Sequence, residues 1–141
     1  MITPNQLGNL GESKAITSFI EQGFDVYTQF SGHHDFDFVA HKEGALWKVE
    51  VRTTSKISKS GAYPIYLTGT SYGNDRSIVH KQLSSYVDIL AGYIYPLNIL
   101  VFINRKNIST NSVMFFRESP SGNNPKTQNI ISDFTNIEQA I

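Results

Sequence analysis

Residues 35–54 read DFDFVAHKEGALWKVEVRTT: two alternating runs on either side of one glycine-containing break. Alternation with period two belongs to strands with one face buried and the other wet. The break KEGA is short enough for a hairpin turn, so the two runs should be antiparallel neighbours. In the second run Trp47, Val49 and Val51 lie on one face, and Lys48, Glu50 and Arg52 on the other. In the first, Phe36 and Phe38 oppose Asp35, Asp37 and Val39. A chain containing this hairpin must build a sheet and lay a second layer over its apolar face.

The rest of the chain supplies candidates for those layers. Ala15, Ile16, Phe19 and Ile20 recur at helical spacing over residues 12–22, and Gly23 follows as a stop. Glu12 then falls on the inward face of the first turn, where a helix N-terminus stabilises a carboxylate. GFDVYTQF reads as a first strand. AYPIYLTGT reads as an edge segment, because Pro64 cannot donate to a central ladder. RSIVHKQLSSY is expected to be a second helix through Ile78, Val79, Leu83 and Tyr86. VDILAGYI and NILVFIN are rich enough in branched residues to lie deep in a sheet. NSVMFFRE adds another strand, and ISDFTNIEQAI a short terminal helix. The order is α-β-β-β-(β)-α-β-β-β-α, an α/β sandwich with a central mixed sheet flanked by helices. At 141 residues the chain suits one domain. Residues 1–117 are expected to form the core, and 118–141 a loop and short helix packed on it.

With no cysteine, disulfides and thiolate-held zinc are excluded and an intracellular setting is favoured. The longest apolar stretch is interrupted by Asp88, Gly92, Pro96 and Asn98, so it reads as strands and not as a membrane span. Net charge is zero but unevenly spread. Residues 51–117 hold eight basic side chains against Asp75 and Asp88, while the first fifty hold seven acidic against three basic. An acid-rich site beside a basic surface suits a metal-dependent enzyme acting on a polyanion.

Centring the hairpin turn on Glu43-Gly44 puts Asp37 opposite residue 50, so Asp37 and Glu50 form a cross-strand pair. Two carboxylates that close call for a positive charge between them. A divalent cation such as Mg²⁺ or Mn²⁺ is the usual one. Arg52 and Lys48 project from the same face and can neutralise charge or hold a phosphate. The loop TTSKISKSGAYP that follows carries hydroxyls and lysines suited to phosphate contacts. Arg76, His80 and Lys81 fall at or near the expected second helix. His33 and His34 read as a polar turn.

GNLGES, FDFVA and VEVRTTS, in that order and on those elements, resemble the PD-(D/E)xK nuclease superfamily. The likeness covers roughly residues 7–104 and is nearest to the branch of group I intron homing endonucleases and Holliday junction resolvases. Gly8, Gly11 and Glu12 match the helix motif, Asp37 the metal-binding acid, Glu50 the acid of the third strand, and Thr53 and Thr54 the threonines after it. The resemblance implies a catalytic set of Glu12, Asp37, Glu50 and Arg52, with Lys48 or Lys56 as an alternative amine. It implies Mg²⁺ or Mn²⁺ on Asp37 and Glu50. It also implies cleavage of double-stranded or branched DNA by a homodimer or homotetramer, in a host cytoplasm or nucleoid and carried by a phage or mobile element. Thr53, Thr54, Lys56, Lys59, Arg76 and Lys81 are the expected DNA contacts. One position departs from the motif: Arg52 stands where the family has lysine. Arginine stays protonated and serves electrostatically, not as a base. A non-catalytic DNA-binding module that keeps the nuclease fold is the alternative.

Overall fold

The computed structural model describes residues 1–30, 35–72, 78–110, 112–122 and 127–141. It opens with helix α1 (Pro4–Glu21), which starts eight residues earlier than its apolar spacing predicts. The cause is a capping box. Thr3 Oγ1 accepts from the Gln6 N–H at 3.2 Å, and Gln6 Oε1 accepts from the Thr3 N–H at 2.9 Å. Pro4 fills the first helical position, where its missing N–H costs nothing. Glu12 therefore sits in mid-helix, and the expected stabilisation by the helix N-terminus does not reach it. Gly11, Ala15 and Phe19 form the buried stripe.

After Gly23 the chain enters β1 (Asp25–Thr28), then the hairpin of β2 (Phe38–Lys42) and β3 (Ala45–Thr54). Glu43 and Gly44 alone link the hairpin, with φ of 53° and 82°. Positive φ at both positions marks the turn whose twist matches the flanking strands. β4 (Tyr63–Tyr66) follows, then the paired strands β5 (Gly69–Tyr72) and β6 (Ile78–Lys81), then β7 (Ile89–Ile94), β8 (Ile99–Asn104), β9 (Val113–Arg117) and β10 (Asn129–Ile130). Five strands form the central sheet in the order β1-β2-β3-β7-β8, antiparallel except for β3 against β7. The sheet is mixed, as expected. β7 is buried along its whole length, which its unbroken apolar run foretells.

The two faces are covered differently. α1 packs on one face, where Phe19 meets Phe24, Phe38 and Phe102 edge-on at ring separations of 5.2–5.5 Å. The other face is covered by a second sheet, β10-β9-β4, through Tyr63, Ile65 and Phe116 against Leu90, Ile94, Val101 and Ile103. Among the described residues the expected second helix is absent. Residues 78–81 are strand, and the chain then returns through a turn that buries Leu83 and Val87. The β-branched Ile78 and Val79 favour extended backbone, and the spacing of the apolar residues mimicked a helical stripe. The central mixed sheet thus carries a helix on one face, and among the described residues a small sheet on the other. The terminal helix is likewise two 3₁₀ turns, Ile131–Asp133 and Ile137–Ala140. β4 has β9 as its ladder partner in the smaller sheet and lies at that sheet's edge, as Pro64 requires. Among the described residues no helix is long and apolar enough to cross a membrane.

Candidate active site

β3 is longer than the partner on its outer side. Pairing with β2 ends at Phe38 opposite Val49, while β3 runs on to Thr54 with β7 along its other edge. The strands part at that point, and Asp37 stands in the fork. Its N–H donates to the Val49 carbonyl at 2.8 Å, and its Oδ2 accepts from the Val51 N–H at 2.7 Å. One residue thus bonds to the main chain on both sides of Glu50. The first expectation holds, since Asp37 and Glu50 are side by side at the register the turn dictates. The Asp37 carboxylate also satisfies the strand-edge N–H that would otherwise be left open.

α1 closes the fork from the opposite side. It comes close because Gly11 has no side chain: a Cβ there would lie 2.0 Å from Thr53 Oγ1 and 3.3 Å from Tyr93 Cβ. This approach carries Glu12, the next residue, to the same cleft as Asp37, Glu50 and Arg52. The open cleft measures ≈ 500 Å³. Its helix wall is Pro4, Asn5, Gly8, Asn9 and Glu12, and its sheet wall is Glu50, Val51 and Arg52. Burial, and then the nearby Asp37 charge, raise the Glu12 carboxyl above the ordinary glutamate value. Arg52 Nη1 donates to Glu50 Oε1 in a half-buried ion pair. Three carboxylates and one guanidinium leave the cleft acidic. A second cleft of ≈ 500 Å³ lies over β9 and the 107–110 turn, but no carboxylate lines it.

Residues 2–137 match the PD-(D/E)XK endonuclease family. The chain belongs to that family. Its fold resembles that of I-Ssp6803I, a bacterial homing endonuclease, with a TM-score of 0.69 and 23% identity over 80% of this chain and 77% of that one. A search of curated proteins returns no significant match.

The other residues expected at this PD-(D/E)XK site are distributed less simply. Lys48 shares the strand face of Glu50, yet its ammonium lies over the Tyr86 ring at 5.9 Å and does not line the cleft. Its main chain is clasped by Asp88, whose Oδ2 accepts from Lys48 N–H and whose N–H donates to the Lys48 carbonyl, both at 2.8 Å. Asp88 thereby has a structural task that the sequence left open. Thr53 packs under α1 against Gly11. Thr54 is buried, and its Oγ1 accepts from Lys56 N–H at 3.2 Å. Thr54 is thus placed for packing, while Thr53 stays half-buried beneath the helix. Lys56 and Lys59 are on the exposed loop after β3, with the Lys56 ammonium 5.8 Å from the Tyr66 ring. Lys81 belongs to β6, and its side chain lies outside the described structure, as does that of His80. Arg76, His33 and His34 lie outside the described residues.

Pro4, Asn5 and Asn9 are the cleft residues that the sequence reading missed. The signal was present in Thr3-Pro4-Asn5-Gln6, a capping box with proline at the first position. A helix begun there puts residues 5, 8, 9 and 12 on one face.

The donors also bear on a metal. Among the described residues no three His, Cys, Asp or Glu side chains converge closely enough to hold an ion as they stand. Mg²⁺ does not need three, because it keeps several waters and takes one or two carboxylates. Hard oxygen donors on Asp37 and Glu50, with Glu12 raised by burial and then by the Asp37 charge beside it, fit a divalent cation. The Glu50–Arg52 pair competes with it.

Proposed function

We propose that this protein hydrolyses phosphodiester bonds of double-stranded or branched DNA with Mg²⁺ or Mn²⁺, in the manner of a homing endonuclease. One observation carries the reading: Glu12, Asp37, Glu50 and Arg52 line a single cleft at the fork of β2 and β3. That cleft is acidic, so a polyanion cannot enter it without added positive charge. When bound, a divalent cation supplies that charge and acidifies the attacking water.

The protein's own groups do the rest. Asp37 is fixed by two main-chain bonds, which orients its carboxylate with little freedom left to lose. Glu50 is the second ligand. Arg52, paired with Glu50 Oε1, is within the same cleft and would serve a phosphoryl oxygen with its fixed positive charge, and Glu50 Oε1, once released, would be open to hold the cation. Glu12 is held above the ordinary glutamate value by burial and then by the Asp37 charge, so its ionised form costs more here than in water. Lys56 and Lys59 extend a basic path from the end of β3, where backbone phosphates would lie. A homodimer or homotetramer would bring two such clefts to the two strands.

The test is cleavage of supercoiled plasmid and of a four-way junction with Mg²⁺ or Mn²⁺, paired with calorimetry of Mn²⁺ binding. Asp37→Ala and Glu50→Ala are expected to lose cutting by at least about a hundredfold and to weaken Mn²⁺ binding. Arg52→Lys is expected to retain cutting. Duplex binding with no cutting under either metal would select the non-catalytic module, which the Glu50–Arg52 pair favours.

A further inference from the structure

Gly8 is a residue of the cleft wall whose identity the protein's own packing does not explain. It lies on the exposed side of α1, five residues into the helix, and a Cβ built on it meets nothing within 4 Å. Gly11, three residues on, is the opposite case, since there the sheet forbids a side chain. No positive φ calls for glycine at position 8 either. Glycine inside a helix is destabilising relative to alanine because it gives up more backbone freedom. Helix, turn and core would thus all accept a larger residue here.

What glycine does provide is room on the wall facing Glu50 and Arg52. Asn5 and Asn9 flank it on the same face, one turn apart, with amide groups exposed in the same cleft. We propose that Gly8 is the clearance through which the sugar–phosphate backbone of the substrate seats against α1, with the Asn5 and Asn9 amides donating to phosphate oxygens beside it. An uncharged donor wall is suited to this place. It holds phosphate by hydrogen bonds and, unlike a lysine or arginine, does not compete with the cation for Asp37 and Glu50. The strand then lies between the helix and Arg52, and its depth is set by how near the helix backbone it can come. Gly8 is a positioning residue and acts on no reacting atom.

This inference rests on the reading of the cleft as a DNA site, and its test separates the two. Gly8→Ala and Gly8→Gln both raise helix propensity, and both are expected to raise Tm, alanine by about 3 °C. Binding of a mixed-sequence duplex of about 30 base pairs is then measured by fluorescence anisotropy at low salt with Ca²⁺, which supplies the divalent charge the cleft needs, and cleavage of supercoiled plasmid with Mn²⁺. Kd and KM are expected to rise about tenfold for Gly8→Ala and about a hundredfold for Gly8→Gln. The higher Tm excludes misfolding as the cause. Asn5→Ala and Asn9→Ala are expected to weaken duplex binding even though alanine also favours the helix there. If the wild type binds and cuts DNA and the Gly8 variants do so equally well, clearance at Gly8 is overturned alone. If Tm falls together with binding, Gly8 has a packing role and the inference is again overturned. If the wild type binds no duplex, the DNA reading and this inference fail together.

Discussion

Two adjacent carboxylates with different surroundings occupy the cleft. Asp37 is tied to backbone on both sides of Glu50, while Glu12 has burial and a like charge to contend with. The consequence for Glu12 has a definite sign. Its folded form holds a proton more tightly than the unfolded chain does. Stability therefore falls as pH rises from the ordinary value of 4.5 through the raised one. Glutamine removes the titration. Glu12→Gln in metal-free buffer is expected to have a higher Tm than the wild type at pH 7.5, with the gain disappearing below about pH 4. Thermal scans over that range decide it, and a gain of constant size would assign the effect to packing. The pairing of Asp37 with Glu50 was legible because a two-residue turn and a period-two pattern leave one register. The bond from Val51 N–H to Asp37 was not legible, since it depends on where β2 leaves β3, and no residue type announces that.

At the scale of elements, the sequence was most readable where a local rule acts alone. The Glu43-Gly44 turn is such a case, and it contains a mismatch. Glu43 adopts φ of 53°, a region that costs a non-glycine residue with a Cβ and that asparagine tolerates best. Glu43→Asn is expected to stabilise the protein by about 0.5–1 kcal/mol. A urea midpoint that rises with an unchanged slope would show it. No change would mean that Glu43 gains elsewhere what the turn costs. The helix at 76–86 failed for the complementary reason. Val79, Leu83 and Tyr86 fit a helical stripe, but Leu83 is drawn into the core as loop and residues 78–81 pair with β5. Tertiary contact overrode the helical spacing. α1 shows the reverse, since its capping box was present and its apolar periodicity alone gave too late a start. Placing that start at Pro4 is what turns Asn5, Gly8 and Asn9 from a leader into a wall of the site.

At the scale of the molecule, the site is an arrangement of three elements held by one core. Phe19 of α1, Phe38 of β2, Val49 of β3 and Phe102 of β8 are fully or almost fully buried together, so the cleft above them inherits their spacing. The last 3₁₀ turn joins the same cluster. Ile137 and Ala140 are completely buried in it. The Ile137 N–H donates to Gln22 Oε1 at 3.2 Å, just past the end of α1, and Asn104 Nδ2 donates to the Ala140 carbonyl at 2.9 Å. A segment after residue 117 that merely lay on a finished core could be weakened without consequence for α1. These contacts give a different expectation. Ile137→Ala should cost about 2–5 kcal/mol, the range for emptying a buried isoleucine site, and Glu138→Ala, on the exposed side of the same turn, close to nothing. The loss should appear in the global urea transition, and amide exchange in α1 should accelerate with it. Plasmid cutting measured below the new midpoint should fall less than stability does, since Ile137 touches no group in the cleft. A small local loss with α1 exchange unchanged would instead make residues 118–141 a separable cover, and the site would then owe its geometry to the first 117 residues alone.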